Sequence, residues 1–138
     1  MPSYIRGEIY FDKLYFYPDS KEPCDKLVLI LNKNHTDNQC VVTVPSATNR
    51  KDFPLKNGCN KHEKIYYVEK QSGFYNDKSM IQYEFIESIS SEEFERRITS
   101  KQMNKLKNRV TDKELQEILG CLKSMKDDIP QEAFELIF

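Results

Sequence analysis

Five consecutive aliphatic side chains, Leu27-Val28-Leu29-Ile30-Leu31, place the strongest constraint on what this chain can fold into. A strand with one wet face alternates apolar and polar residues, so an unbroken run predicts a strand covered on both faces. The run is far short of the ~20 apolar residues that a membrane helix needs. Pro18 and Pro23 precede it, and the turn-forming segment Asn32-Lys33-Asn34-His35-Thr36-Asp37-Asn38 follows. Cys40-Val41-Val42-Thr43-Val44 is a second β-branched run, and the pair predicts an antiparallel hairpin.

Three more segments read as strands: residues 5–12, entered through Gly7, then residues 65–68 and residues 80–86. Residues 45–61 are polar, with Pro, Gly and Asn, and predict a long loop; residues 71–77 predict another. From about Ser90 the period changes. Thr99-Ser100-Lys101-Gln102 and Thr111-Asp112-Lys113-Glu114 both have the form of a capping box, which marks a helix start. After the second box, Leu115, Ile118, Leu119, Leu122 and Met125 recur at helical spacing, an apolar stripe that must be buried against a core. Pro130 is placed to open a last short helix carrying Phe134, Ile137 and Phe138. Short strands followed by a helical tail, without βαβ alternation, predict an α+β, mainly β architecture: a small antiparallel barrel or half-barrel capped by helices. A single domain over residues 1–138 is expected, with a strand-rich part at 1–90 and a helical tail at 91–138 packed on it.

Composition bears on compartment, metals and partners. Sixteen aromatic residues argue against disorder, and the first residues lack the apolar core of a secretory signal, so a soluble, cytoplasmic protein with no membrane partner is expected. In that setting the four cysteines, Cys24, Cys40, Cys59 and Cys121, read as reduced thiols. Cys59-Asn-Lys-His62 is half of a zinc site, with Cys40 and His35 as conceivable completers, but no second pair has ligand spacing and no metal or cofactor is expected. The net charge of -1 is spread evenly over both halves. Residues 45–64 alone depart from balance, with Arg50, Lys51, Lys56, Lys61 and Lys64 against Asp52 and Glu63. Phe53, Tyr66 and Tyr67 beside this basic stretch are candidates to stack on unpaired bases. The plainer alternatives are a solvated loop and two tyrosines alternating in and out of a sheet.

Arg6-Gly7-Glu8-Ile9-Tyr10-Phe11 with its Pro-containing loop, then Lys26-Leu27-Val28-Leu29-Ile30-Leu31-Asn32, then Val42-Thr43-Val44-Pro45-Ser46-Ala47-Thr48-Asn49, occur in an order that resembles the MazF/PemK toxins. Ile81-Gln82-Tyr83-Glu84-Phe85-Ile86-Glu87-Ser88-Ile89 falls where that family has an acidic strand segment, and residues 110–119 look like its capped C-terminal helix. The resemblance spans roughly residues 6 to 123. It implies an SH3-like (CcdB-like) barrel and a homodimeric endoribonuclease that cuts single-stranded RNA without metal and is neutralised by an antitoxin protein. The implied catalytic positions are Lys26, where the family has Arg, a hydroxyl at Ser46 or Thr48, and Glu84. Arg50, Lys51, Lys56 and Lys61 would hold the RNA. The chain departs from the pattern in Lys26 itself, in Leu27 where a Pro is usual, and in Ala47, which takes the hydroxyl position by strict spacing. A lysine keeps the charge but not the planar two-pronged grip on phosphate. The alternative is a barrel of the same fold with lost or altered catalysis that binds nucleic acid or protein.

Overall fold

A computed structural model describes residues 5–16, 21–34, 38–43, 46–47, 58–60, 62, 64–68, 79–82, 86–107 and 109–138. Its elements are β1 (Ile9–Tyr15), β2 (Cys24–Ile30), β3 (Gln39–Thr43), β4 (Ser46–Ala47), β5 (Gly58–Asn60), β6 (Ile65–Val68), β7 (Ser79–Gln82), β8 (Ile86–Ser90), α1 (Ser91–Thr99), β9 (Met103–Lys105), α2 (Asp112–Lys123) and α3 (Gln131–Ile137), with a 3-10 turn at Lys126–Asp128 before α3. The strands form two antiparallel sheets, ordered β8-β3-β2-β1-β9 and β4-β7-β6-β5. The architecture is α+β. Among the described residues no ladder joins the two sheets into one closed barrel.

The aliphatic run occupies the centre of the first sheet, and Val28, Leu29, Ile30 and Leu31 are all fully buried. Its two faces serve two cores. Leu29 and Leu31 join Ile9 and Val41 beneath Tyr66 and Ile81 of the second sheet and Ile118, Leu122 and Ile137 of the helices. Val28 and Ile30 join Tyr10, Cys40 and Val42 beneath Phe94 of α1. The absence of polar alternation follows from this double burial. The predicted hairpin is present as β2 and β3, in the register Leu29↔Thr43 and Ile30↔Val42.

Two of the three described α-helices, α1 and α2, start under a side-chain cap, and α3 follows Pro130 without one. Thr111 Oγ1 accepts from the Glu114 amide at 3.2 Å, as the second box predicts. Ser90 Oγ accepts from the Glu93 amide at 3.1 Å, so the box that opens α1 is Ser90-Ser91-Glu92-Glu93. The Thr99 box starts no helix. α1 ends there, Lys101 adopts φ +64, and the chain turns back so that β9 pairs with β1, Tyr10 opposite Lys105 and Asp12 opposite Met103. An unclaimed sheet edge outweighed the local capping preference. Other boundaries also moved. The expected loop over residues 45–61 contains β4 and β5, and the expected strand over 80–86 is β7 followed by the start of β8, with 83–85 outside the described residues. β1 begins at Ile9 rather than residue 5, because Gly7 at φ +90 turns the chain just before it.

α3 follows Pro130, and its C-terminal carbonyls meet cations, which suits the negative end of the helix dipole. Arg6 Nη2 donates to the Ile137 carbonyl, and Lys33 Nζ to that of Phe138 at 2.8 Å. No described helix is long and apolar enough to cross a membrane.

Candidate functional site around Asp12

Lys26 lies on β2 directly across from Asp12 on β1. Opposite residues of an antiparallel pair share a face of the sheet, and here it is the face under α1, since Val28 and Tyr10 lie two residues along from each and belong to that core. Asp12 is wholly buried. A carboxylate in such a place persists only with strong partners, and three donors meet it. The Leu14 amide and Gln102 Nε2 donate to Oδ1 at 3.0 and 2.9 Å. Arg97 Nη1 donates to Oδ2 at 3.3 Å. Gln102 and Arg97 stand 90 and 85 residues away in sequence, so this constellation exists only in the fold.

α1 supplies the next layer of charge. Glu93 accepts from Arg97 Nε at 3.0 Å and from Arg96 Nε and Nη2 at 2.8 and 2.7 Å. The Arg96 hydrogen bonds, reinforced by Arg97 and opposed by partial burial, hold the Glu93 carboxyl down at about 2. A depressed folded-state value adds stability that is present above the ordinary carboxylate range and lost as pH falls toward 2. Replacing Glu93 by glutamine is expected to cost less than ~1 kcal/mol near neutrality, because the pair is over a third exposed and screened. In parallel urea titrations the wild type and Glu93→Gln should converge as pH is lowered from about 4.5 toward 2. Lys26, Arg96 and Arg97 against Asp12 and Glu93 leave the cluster with one excess positive charge.

The other predicted site residues are distributed as follows. Ser46 opens β4 and pairs with Met80 of the second sheet. Counted on along the β2–β3 register, Ser46 is the position opposite Lys26, and by that point the chain has left the first sheet for the second. Ala47 pairs with Ser79. Thr48, Glu84, Arg50, Lys51, Lys56 and Lys61 lie outside the described residues, as do Phe53 and His35. Lys64, the last cation of the basic stretch, is engaged with Asp128 at 3.0 Å.

Two expectations need correction. Tyr66 and Tyr67 are both buried, at 4% and 7% exposure, so neither face of their strand meets water there and no ring face is open to a base. Tyr66 instead donates its hydroxyl to Glu117 on α2 at 2.7 Å, and burial together with that carboxylate pushes its pKa well up. The cysteines are not all thiols. Cys59 of β5 and Cys121 of α2 form a disulfide, with Cα atoms 5.5 Å apart. Packing of the second sheet on α2 brings them together across 62 residues, a proximity that no local spacing encodes. Cys59 therefore cannot serve as a thiolate ligand, and the Cys59/His62 half-site is closed to zinc. Cys40 is buried with its thiol pushed up by desolvation, and Cys24 Sγ donates to the Tyr15 carbonyl at 3.6 Å.

Asp12, Arg97 and Gln102 were not singled out by the sequence reading. One signal was present: Asp12 shares parity with Tyr10, so an acidic residue stands at an inward position of a strand. An open groove of about 430 Å³ lies between the 3-10 turn and α3, lined among the described residues by Lys126, Ile129 and Phe134 with others, and neither Lys26 nor Ser46 is among them. Neither a family model nor a curated protein matches this chain.

Proposed function

We propose that this chain is an endoribonuclease of the MazF/PemK type, cutting single-stranded RNA without metal in the cytoplasm as a homodimer restrained by an antitoxin protein. Its two sheets, with the chain passing from one to the other between Thr43 and Ser46, suit the SH3-like half-barrel of that family. The observation that carries the reading is the setting of Lys26. The residue that resemblance assigns as the cation of the site stands opposite a buried carboxylate, at the end of the sheet where Ser46 begins the next.

The chemistry follows from these groups. The RNA 2′-oxygen attacks the adjacent phosphorus, the O2′–P bond forms, and the P–O5′ bond breaks to leave a cyclic phosphate. Glu84 takes the 2′-hydroxyl proton, the departing 5′-oxygen takes a proton from water whose hydroxide then recovers the one on Glu84, and the Ser46 or Thr48 hydroxyl donates to a phosphoryl oxygen. The Lys26 ammonium offsets negative charge as it grows on the phosphorane. Arg50, Lys51, Lys56 and Lys61 hold the backbone on either side.

Incubating the protein with long mixed-sequence RNA in EDTA, alongside Lys26→Ala, tests this. The wild type is expected to cleave, and loss of one charge-stabilising group should slow cleavage on the order of 10²–10³-fold. No cleavage by the wild type, or equal cleavage by both, overturns the reading. Binding without cleavage would favour the catalytically altered barrel, to which the lysine in place of arginine points.

A further inference from the structure

The geometry points to Arg97 as a second phosphate-binding cation of the Lys26 site, one whose donors are held in a fixed plane as a lysine's are not. This inference rests on the ribonuclease reading above. Arg97 carries five N–H donors in a rigid fork. Its Nε is committed to Glu93 at 3.0 Å and its Nη1 to Asp12 at 3.3 Å. Among the described residues Nη2 has no partner, and the side chain keeps 21% of its surface exposed. The two carboxylates thus hold the guanidinium at Nε and at Nη1 and fix its plane, leaving the two N–H donors of Nη2 for a ligand. Asp12 is the common neighbour: Arg97 reaches it from α1, and Lys26 stands opposite it on β2.

A guanidinium that only neutralised Asp12 would need one contact. Here it is held at two points and still presents donors, the preorganisation that oxyanion recognition requires. Its pairing with Lys26 answers the chain's departure from the family pattern: the ammonium offers a point charge, and Arg97 offers direction. The ligand class is the phosphodiester of single-stranded RNA, with Arg97 on a non-bridging oxygen.

The test is fluorescence anisotropy with a 2′-O-methylated mixed-sequence RNA oligonucleotide, which lacks the nucleophile and reports binding alone. Arg97→Lys retains the charge against Asp12 and is expected to bind about tenfold more weakly while its melting temperature stays close to that of the wild type. Asp12→Leu/Arg97→Met removes the buried pair as a unit, and its binding should show a log–log salt slope shallower by about 0.7, one phosphate contact fewer. A purely structural Arg97 would shift the melting temperature and leave the salt slope alone. If both variants bind like the wild type while Lys26→Ala binds weakly, Arg97 is structural and the ribonuclease reading stands. If the wild type does not bind the oligonucleotide, the reading fails and takes this inference with it.

Discussion

Cys59→Ser/Cys121→Ala is expected to lower the stability of the oxidised protein by about 4 kcal/mol, the loop-closure entropy of a cross-link spanning 62 residues. Alanine at 121 avoids burying a new hydroxyl, since Cys121 is only 3% exposed on the apolar face of α2. The bond ties β5 to α2, and the polar side-chain ties between this region and the tail among the described residues are weaker. Tyr66 to Glu117 is a single hydrogen bond, worth about 1–2 kcal/mol, and Lys64 to Asp128 is a half-exposed ion pair worth ~1 kcal/mol or less. Urea unfolding with and without dithiothreitol separates the cross-link from packing. The reductant should bring the wild type down to the level of the double variant and leave the variant unmoved. Equal stability of oxidised wild type and variant would show that the cross-link contributes nothing.

Asp12→Leu is expected to cost about 3 kcal/mol by itself. It strands the Leu14 amide, Gln102 Nε2 and the inner edge of Arg97, all of which now point at this carboxylate. The estimate sits at the low end for breaking a buried pair because Arg97 retains one-fifth of its exposure and its bond to Glu93. Arg97→Met should cost a similar amount, for the complementary reason that it leaves a fully buried carboxylate without its cation. The double variant should recover much of the loss, since a desolvated pair repays little beyond its own desolvation. Thermal melts of the four proteins form a double-mutant cycle. Additive losses would mean that Asp12 and Arg97 do not act as a pair.

These two sites show what a linear reading reaches. Lys26 was legible because resemblance tied it to a strand end, and its position on β2 follows from the aliphatic run beside it. Asp12 was half-legible through its inward parity. Arg97 carried no local signal, since it stands just before the Thr99 box in a stretch to which the sequence assigns no element of its own. Only the docking of α1 through Phe94, whose ring meets Tyr10 edge-on at 5.1 Å, carries it to Asp12. The Thr99 box failed for a related reason: capping is worth about 1 kcal/mol, and completing the β1 edge with β9 contributes more backbone hydrogen bonds than that.

What the sequence determined by itself was local and periodic: the doubly buried central strand, its hairpin partner, the Thr111 cap, the stripe of α2 and the short helix after Pro130. Each depends on neighbours within a few residues, where sterics, capping and hydrophobic spacing act directly. The tertiary structure decided the Cys59–Cys121 bond, the burial of both tyrosines, the β9 edge and the Asp12–Arg97 pair. Those are contacts between residues far apart in the chain. They arise only once apolar faces have chosen their layers and carried the cysteines and charges along with them.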